Sequence, residues 1–298
     1  MPKDSAMNTS GSLTAAQLNQ YNADGYISGL DVFDSQTVSD LRQAIETLEA
    51  EHSEGVAGSS LAQYFRVNGH VVIPLLSQLA STPAILDAVQ SVLGDNLLAW
   101  AVELFIKEPG SEKTVSWHQD ITYWGMGETN DEVTAWVALS DVSVEAGCMR
   151  FIPGSHNSGI VDHTDTFSES NLLSRGQEIQ GINESDARHG PLRPGEMSLH
   201  HGRCFHASGP NRSADRRIGL AIRYVTPEVR KGLSGRDYAM LVRGIDDVQG
   251  WINIAGPQGL FTPSDMALYK TILRDQQAVL SEGAEQTVAL YDSGNTNT

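Results

Sequence analysis

The periodicity of the chain changes near Leu97. Before that point apolar residues recur at helical spacing, as in the stripe Val38, Leu41, Ile45 and Leu48. After it, short β-prone runs follow one another: Leu97–Lys107, Val115–Tyr123, Val133–Leu139, Met149–Ile152, Glu196–His200, Phe205–Ser208 and Arg217–Val225. Turn formers divide them, among them Pro109-Gly110, Pro153-Gly154 and Pro194-Gly195. Many short strands with such punctuation predict a β-sandwich or barrel, here mainly β with flanking helices packed outside. Helix starts are expected at Thr14, where Gln17 completes a capping box, at Asp34, and at Pro83 after Ser81-Thr82. Gly25 is the expected stop of the first helix, and residues 264–285 form a closing one. The reading is a disordered N-terminal tail at 1–12 and a single domain over 13–290. The polar segment 155–193 is an expected lid, because a loop of that length inside a compact domain is usually functional.

Charge narrows the partners. The chain has 20 Lys and Arg against 37 Asp and Glu, a net charge of −17. Such a surface repels phosphate backbones and anionic lipid, so neither nucleic acid nor membrane is expected as a partner. No run reaches the roughly 18 apolar residues of a membrane span. Two cysteines, Cys148 and Cys204, are too few for a disulfide scaffold, and the expected location is cytoplasmic.

Two triplets carry chemistry. His118 and Asp120 lie two apart on a predicted strand, so an imidazole nitrogen and a carboxylate oxygen share one face. That is two thirds of a 2-His-1-carboxylate set, which binds Fe(II) and leaves positions open. His206 and Ser208 form a second same-face pair. In Arg217–Val225, alternation puts Ile218, Leu220, Ile222 and Tyr224 on one face and Arg217, Gly219, Ala221 and Arg223 on the other. An arginine beside Gly and Ala leaves volume above it, which suits a small carboxylate held by the guanidinium and the Ser208 hydroxyl.

These residues resemble the phytanoyl-CoA dioxygenase-like (PhyH) family of Fe(II)- and 2-oxoglutarate-dependent oxygenases. The likeness rests on H-x-D at His118–Asp120, on H-x-S-G-x-N at His206–Asn211, and on an arginine eleven residues past His206. Further matching pieces are Asp24-Gly25-Tyr26, the run Gly147–His156 and Arg193-Pro194-Gly195-Glu196. The resemblance implies a double-stranded β-helix (a cupin-like jelly roll) that uses Fe(II), 2-oxoglutarate and O2 on a small-molecule substrate. It implies His118, Asp120 and His206 as metal ligands, and Arg217, Ser208 and Trp136 as cosubstrate contacts. His200 and His201 are rivals for the third ligand, but lack a serine two residues later. Halogenating relatives lack the carboxylate, so Asp120 points to oxygenation.

The substrate is not legible in the same way. Tyr123, Trp124, Met126, Asn68, Arg203 and His201 are the candidates for its pocket, with Lys107, His189 and Arg223 as further anion contacts. They suggest a small zwitterionic or anionic molecule whose unactivated C–H is hydroxylated. Desaturation or cyclisation by the same machinery, and an inactive cupin-like binding protein, are the alternatives.

Overall fold

A computed structural model of the protein describes residues 11–166, 171–172, 177–230, 233, 235 and 237–280. Of the expected tail, residues 1–10 lie outside this set, and the backbone of Gly11 already packs against Ala84. Helix α1 (Ala15–Asp24) carries the Thr14–Gln17 capping box and stops at Gly25, whose φ of 79° suits a residue without a Cβ. A strand not expected from the periodicity, β1 (Tyr26–Asp31), follows. Asp34 caps α2 (Ser35–Glu51) through a bond from Thr37 N. Short helices α3 (Leu61–Arg66), α4 (Pro74–Ala80) and α5 (Pro83–Leu93) lead into the long strand β2 (Leu97–Lys107).

The expected strand Val115–Tyr123 is cut short. Strand β3 (Val115–His118) ends at His118, and Asp120–Tyr123 turns into a 3-10 helix. Then come β4 (Glu132–Ala138), β5 (Met149–Phe151), β6 (Thr164–Asp165), β7 (Gln177–Glu178), β8 (Arg188–Gly190), β9 (Glu196–His201), β10 (His206–Ser208), β11 (Arg217–Val225), β12 (Tyr238–Arg243) and β13 (Ile252–Asn253). The closing helix α6 (Pro263–Leu280) matches the expected one over its described part; residues 281–285 lie outside it.

Seven strands form one sheet in the order β1-β9-β4-β11-β2-β12-β13, and β3-β10-β5-β8 form a second. Strand β11 lies inside the first sheet, between β4 and β2, so both its edges are paired. Its face Ile218, Leu220, Ile222 and Tyr224 packs with Ile45, Leu76 and Ile85 of the helices. Burying each such aliphatic side chain stabilises the fold by about 1.5–3 kcal/mol. From the opposite face of the large sheet, Phe105, Trp136 and Ala221 pack with Met149 and Phe151 of the small one. The architecture is the expected jelly roll with helices on the outer face of the large sheet. Within 155–193, part of the sequence read as loop is regular: β6 pairs with β7, and β8 pairs with β5 at the edge of the small sheet.

Candidate metal centre and cosubstrate pocket

His118 and His206 are direct cross-strand partners in the β3–β10 ladder. Opposed residues in an antiparallel pair share a face, so one register pair brings together imidazoles far apart in sequence, with ring centroids 4.1 Å apart. Asp120 joins them from the 3-10 turn rather than by strand alternation. Its Oδ1 is 3.3 Å from His118 Nε2 and 3.7 Å from His206 Nε2. One ligand atom from each of the three lies within 4.8 Å of the others, and all three residues are buried.

The tautomers fit a metal. His118 Nδ1 donates to Ser116 O and His206 Nδ1 donates to Cys204 O, both at 2.9 Å. A carbonyl only accepts, so Nδ1 carries a proton in each ring, and Nε2 is the nitrogen left to face a metal. Burial, with His118 and His200 adding to it, holds His206 well below the usual histidine range and therefore neutral. Burial would raise the pKa of Asp120, but the Arg223 guanidinium, first among the charged groups beside it, holds it well below the carboxylate range. Two imidazoles and one carboxylate suit a hard to borderline divalent ion with positions left open. His200 Nε2 lies 3.3 Å from Asp120 Oδ2, whereas His118 and His206 approach Oδ1.

Beside this cluster is a cavity, partly open to solvent, lined among others by Phe105, Trp136, Ser208, Arg217, Ala221 and Arg223. Arg217 is 1% exposed. It donates to Gly147 O at 2.7 Å, and its guanidinium carbon lies 5.0 Å from the Trp136 ring centroid. Trp136 occupies the space over Gly219, where any Cβ would collide with its ring. Lys107, paired with Arg217 in the β2–β11 ladder, is equally buried. Its Nζ donates to Ser208 Oγ at 2.9 Å and to Gly209 O at 2.6 Å. Neither cation has an acidic partner within ion-pair distance among the described residues. Burial, with Arg217 and Arg66 nearby, lowers Lys107 to about 6; burial lowers Arg217 to about 10. Three donor groups around an apolar-walled space fit one end of a dicarboxylate.

The other candidates scatter. Trp124 packs on the Arg223 guanidinium, 4.9 Å from its ring, and tilts against Trp100. Met126 is buried with Leu98, Val225 and Trp251, away from the cavity. Asn68 donates to Gln276 Oε1. Arg203 and His201 both turn to Asn130, at 2.6 and 3.2 Å. None of these five lines the cavity, and the side chain of Tyr123 lies outside the described ones. His156 contacts Asn22 O, and His189 contacts Cys148. The motifs did not mark Thr134, Glu132, Glu103 or Gln119. Gln119, between two candidate ligands, bonds Gly159 O, Arg203 O and Val161 N, tying the start of the 155–193 segment to the cluster.

A buried set with two imidazoles, one carboxylate and open positions is the chemistry of non-heme Fe(II) oxygenases. Residues 21–219 match the profile of the phytanoyl-CoA dioxygenase (PhyH) family, and the chain belongs to that family. It is 27% identical over 231 residues to a probable alpha-ketoglutarate-dependent hypophosphite dioxygenase of Stutzerimonas stutzeri, covering 72% of this chain and 79% of that one. The non-heme monooxygenase ThoJ superposes with a TM-score of 0.77 at 30% identity, over 89% of this chain and 98% of ThoJ. The epimerase SnoN, solved with Fe3+, alpha-ketoglutarate and nogalamycin RO, gives 0.56 at 25% identity, over 71% and 83% of the two chains. The protein is an Fe(II)- and 2-oxoglutarate-dependent dioxygenase.

Proposed function

We propose that the protein hydroxylates an unactivated C–H bond of a small zwitterionic or anionic molecule. 2-Oxoglutarate and O2 are consumed, one oxygen atom goes to the substrate and one to succinate, and CO2 leaves. The observation that carries this reading is the buried Arg217, without an acidic partner among the described residues, across a cavity from the His118, Asp120 and His206 cluster. In this reading the three residues hold Fe(II), which with the keto acid activates O2 when bound. His118 and His206 offer Nε2 because their Nδ1 protons are engaged with carbonyls. Asp120 offers Oδ1 and occupies the position that a halide would need. Arg217, Lys107 and Ser208 take the distal carboxylate of 2-oxoglutarate, and Trp136 walls it. Residues 159–161, pinned through Gln119, exclude water from their side of the site.

The substrate reading has less behind it. Arg223 puts a guanidinium in the cavity wall, already paired with Glu103 at 2.7 Å. The likeness to a hypophosphite dioxygenase supports a small anion. The likeness to an epimerase favours a second outcome on the same iron, hydrogen abstraction without oxygen insertion. Two buried free thiols support a reducing compartment, and the cytoplasm is the proposed location.

Without O2, adding Fe(II) and 2-oxoglutarate is expected to produce a weak visible charge-transfer band that is absent in His118→Ala and Asp120→Ala. A band of undiminished strength in either variant removes that residue from the ligand set. With O2, a panel of amino acids, betaines and aminophosphonates is screened for succinate release, and the products are weighed. Gain of one oxygen atom supports hydroxylation; loss of two hydrogens or an unchanged mass supports the second outcome.

A further inference from the structure

Asp120 lies over a row of three polar side chains set by strand register. Thr134 on β4 is the cross-strand neighbour of His200 on β9 and of Arg223 on β11. All three therefore stand side by side on one face, Thr134 in the middle. His200 Nε2 is 3.3 Å from Asp120 Oδ2, Thr134 Oγ1 donates to Oδ2 at 2.9 Å, and Arg223 reaches Oδ1 at 3.9 Å. One residue pair back along β4, Glu132 is fully buried with its Oε1 3.1 Å from the same Thr134 hydroxyl. Its Oε2 rests against Gly202 without a well-formed hydrogen bond, and any side chain at 202 would collide with it.

We propose that Thr134 and Glu132 are positioning residues that fix the rotation of the Asp120 carboxylate, so that Oδ1 alone is presented to the metal. A threonine hydroxyl has one proton, and here two carboxyl groups lie within reach of it. If both were bare acceptors, one would go unserved inside a dry interior, which is costly. The arrangement closes when Glu132 carries a proton and donates it to Thr134 Oγ1. Thr134 then has its own proton left for Asp120 Oδ2. Burial and the nearby Asp120 push Glu132 well above the carboxylate range, in the sense this requires. The chain Glu132, Thr134, Asp120 has a fixed direction, and the direction decides which Asp120 oxygen is free. Groups that orient a metal ligand from behind typically contribute about 10–100-fold to metal affinity.

The inference rests on Asp120 being a metal ligand, so the full-length wild type is titrated first with Co(II), under competition with a chromophoric chelator. Absence of wild-type binding overturns both readings. Given wild-type binding, Thr134→Val is expected to weaken Co(II) about 10–100-fold and to change its visible ligand-field spectrum. Thr134→Ser, which keeps the hydroxyl, is expected to restore both. Glu132→Gln, whose amide can still donate to Thr134, is expected to stay within about threefold of wild type, whereas Glu132→Leu loses about tenfold. Thr134→Ala carries the same test should the valine variant not fold. A folded Thr134 variant without a hydroxyl that keeps wild-type affinity and spectrum overturns the role of Thr134. Equal loss in Glu132→Gln and Glu132→Leu overturns the role of Glu132.

Discussion

Arg217 and Arg223 stand six residues apart on the same face of β11, and both line the same cavity. Their surroundings are opposite. Arg223 is 2.7 Å from Glu103 and 3.9 Å from Asp120. Burial would lower its pKa, but Glu103 and Asp120 outweigh that and raise it. Arg217 is buried as deeply, has no acidic partner among the described residues, and burial lowers it to about 10. Its Nε has no hydrogen-bond partner. An uncompensated buried cation works against folding. Arg223 is thus a charge completed by the protein, and Arg217 one that the described protein groups leave uncompleted, as the proposed carboxylate site requires. The motif likeness assigned only the second; the first is visible only in the pairing.

Replacing each arginine with methionine tests that difference. Arg223→Met strands the buried Asp120 charge and the half-buried Glu103 one. The ligand-free protein is expected to lose about 3 kcal/mol, the lower end of the range for breaking a buried pair, seen as a drop in Tm of several degrees. Arg217→Met removes a charge that has no partner, so the ligand-free Tm is expected to hold or rise. Its cost falls on the cosubstrate: the apparent KM for 2-oxoglutarate rises on the order of 10–100-fold, the value of lost charged hydrogen bonds, and the Tm gain on adding 2-oxoglutarate disappears. Equal Tm losses in the two variants would erase the distinction. An unchanged KM in Arg217→Met would remove that residue from the pocket.

The alternation that separates Arg217 and Arg223 from Ile218, Leu220, Ile222 and Tyr224 could be read from the sequence because β11 is a regular, covered strand, with its register shift against β2 only after Arg223. Strand β1 could not. Gly29, at φ 81°, accompanies a register shift between Ser28 and Leu30 that breaks the period of two. Asp120 was placed correctly beside His118 for a wrong local reason, because a 3-10 turn there happens to serve the same convergence. Thr134 sits within an apolar strand, and nothing local marks a polar residue of a strand as facing a neighbour's carboxyl. Asn68, Arg203 and His201 failed as pocket residues for the reverse reason. Closeness to a motif in sequence does not say on which side of a turn a side chain emerges, and Asn130 and Gln276 claim them instead.

Lys107 gives the smallest and most specific test of the same distinction. Its pKa in the ligand-free protein is about 6 against an ordinary 10.5, with burial as the main cause. Between those values the unfolded chain binds the proton and the folded one does not, so this residue makes stability rise with pH across that window. A carboxylate placed beside Nζ reverses the preference by raising the lysine pKa, so binding 2-oxoglutarate takes up a proton above about pH 6. Affinity must then fall as pH rises from about 6 towards about 8, by at most about tenfold per unit for one proton. Calorimetry on the anaerobic Fe(II)-loaded protein in buffers of different ionisation enthalpy measures both the slope and the proton. In Lys107→Met the slope and the proton uptake should vanish together, with affinity flat in pH. If the methionine variant keeps the wild-type slope, the proton belongs to another group and Lys107 is not completed by the ligand.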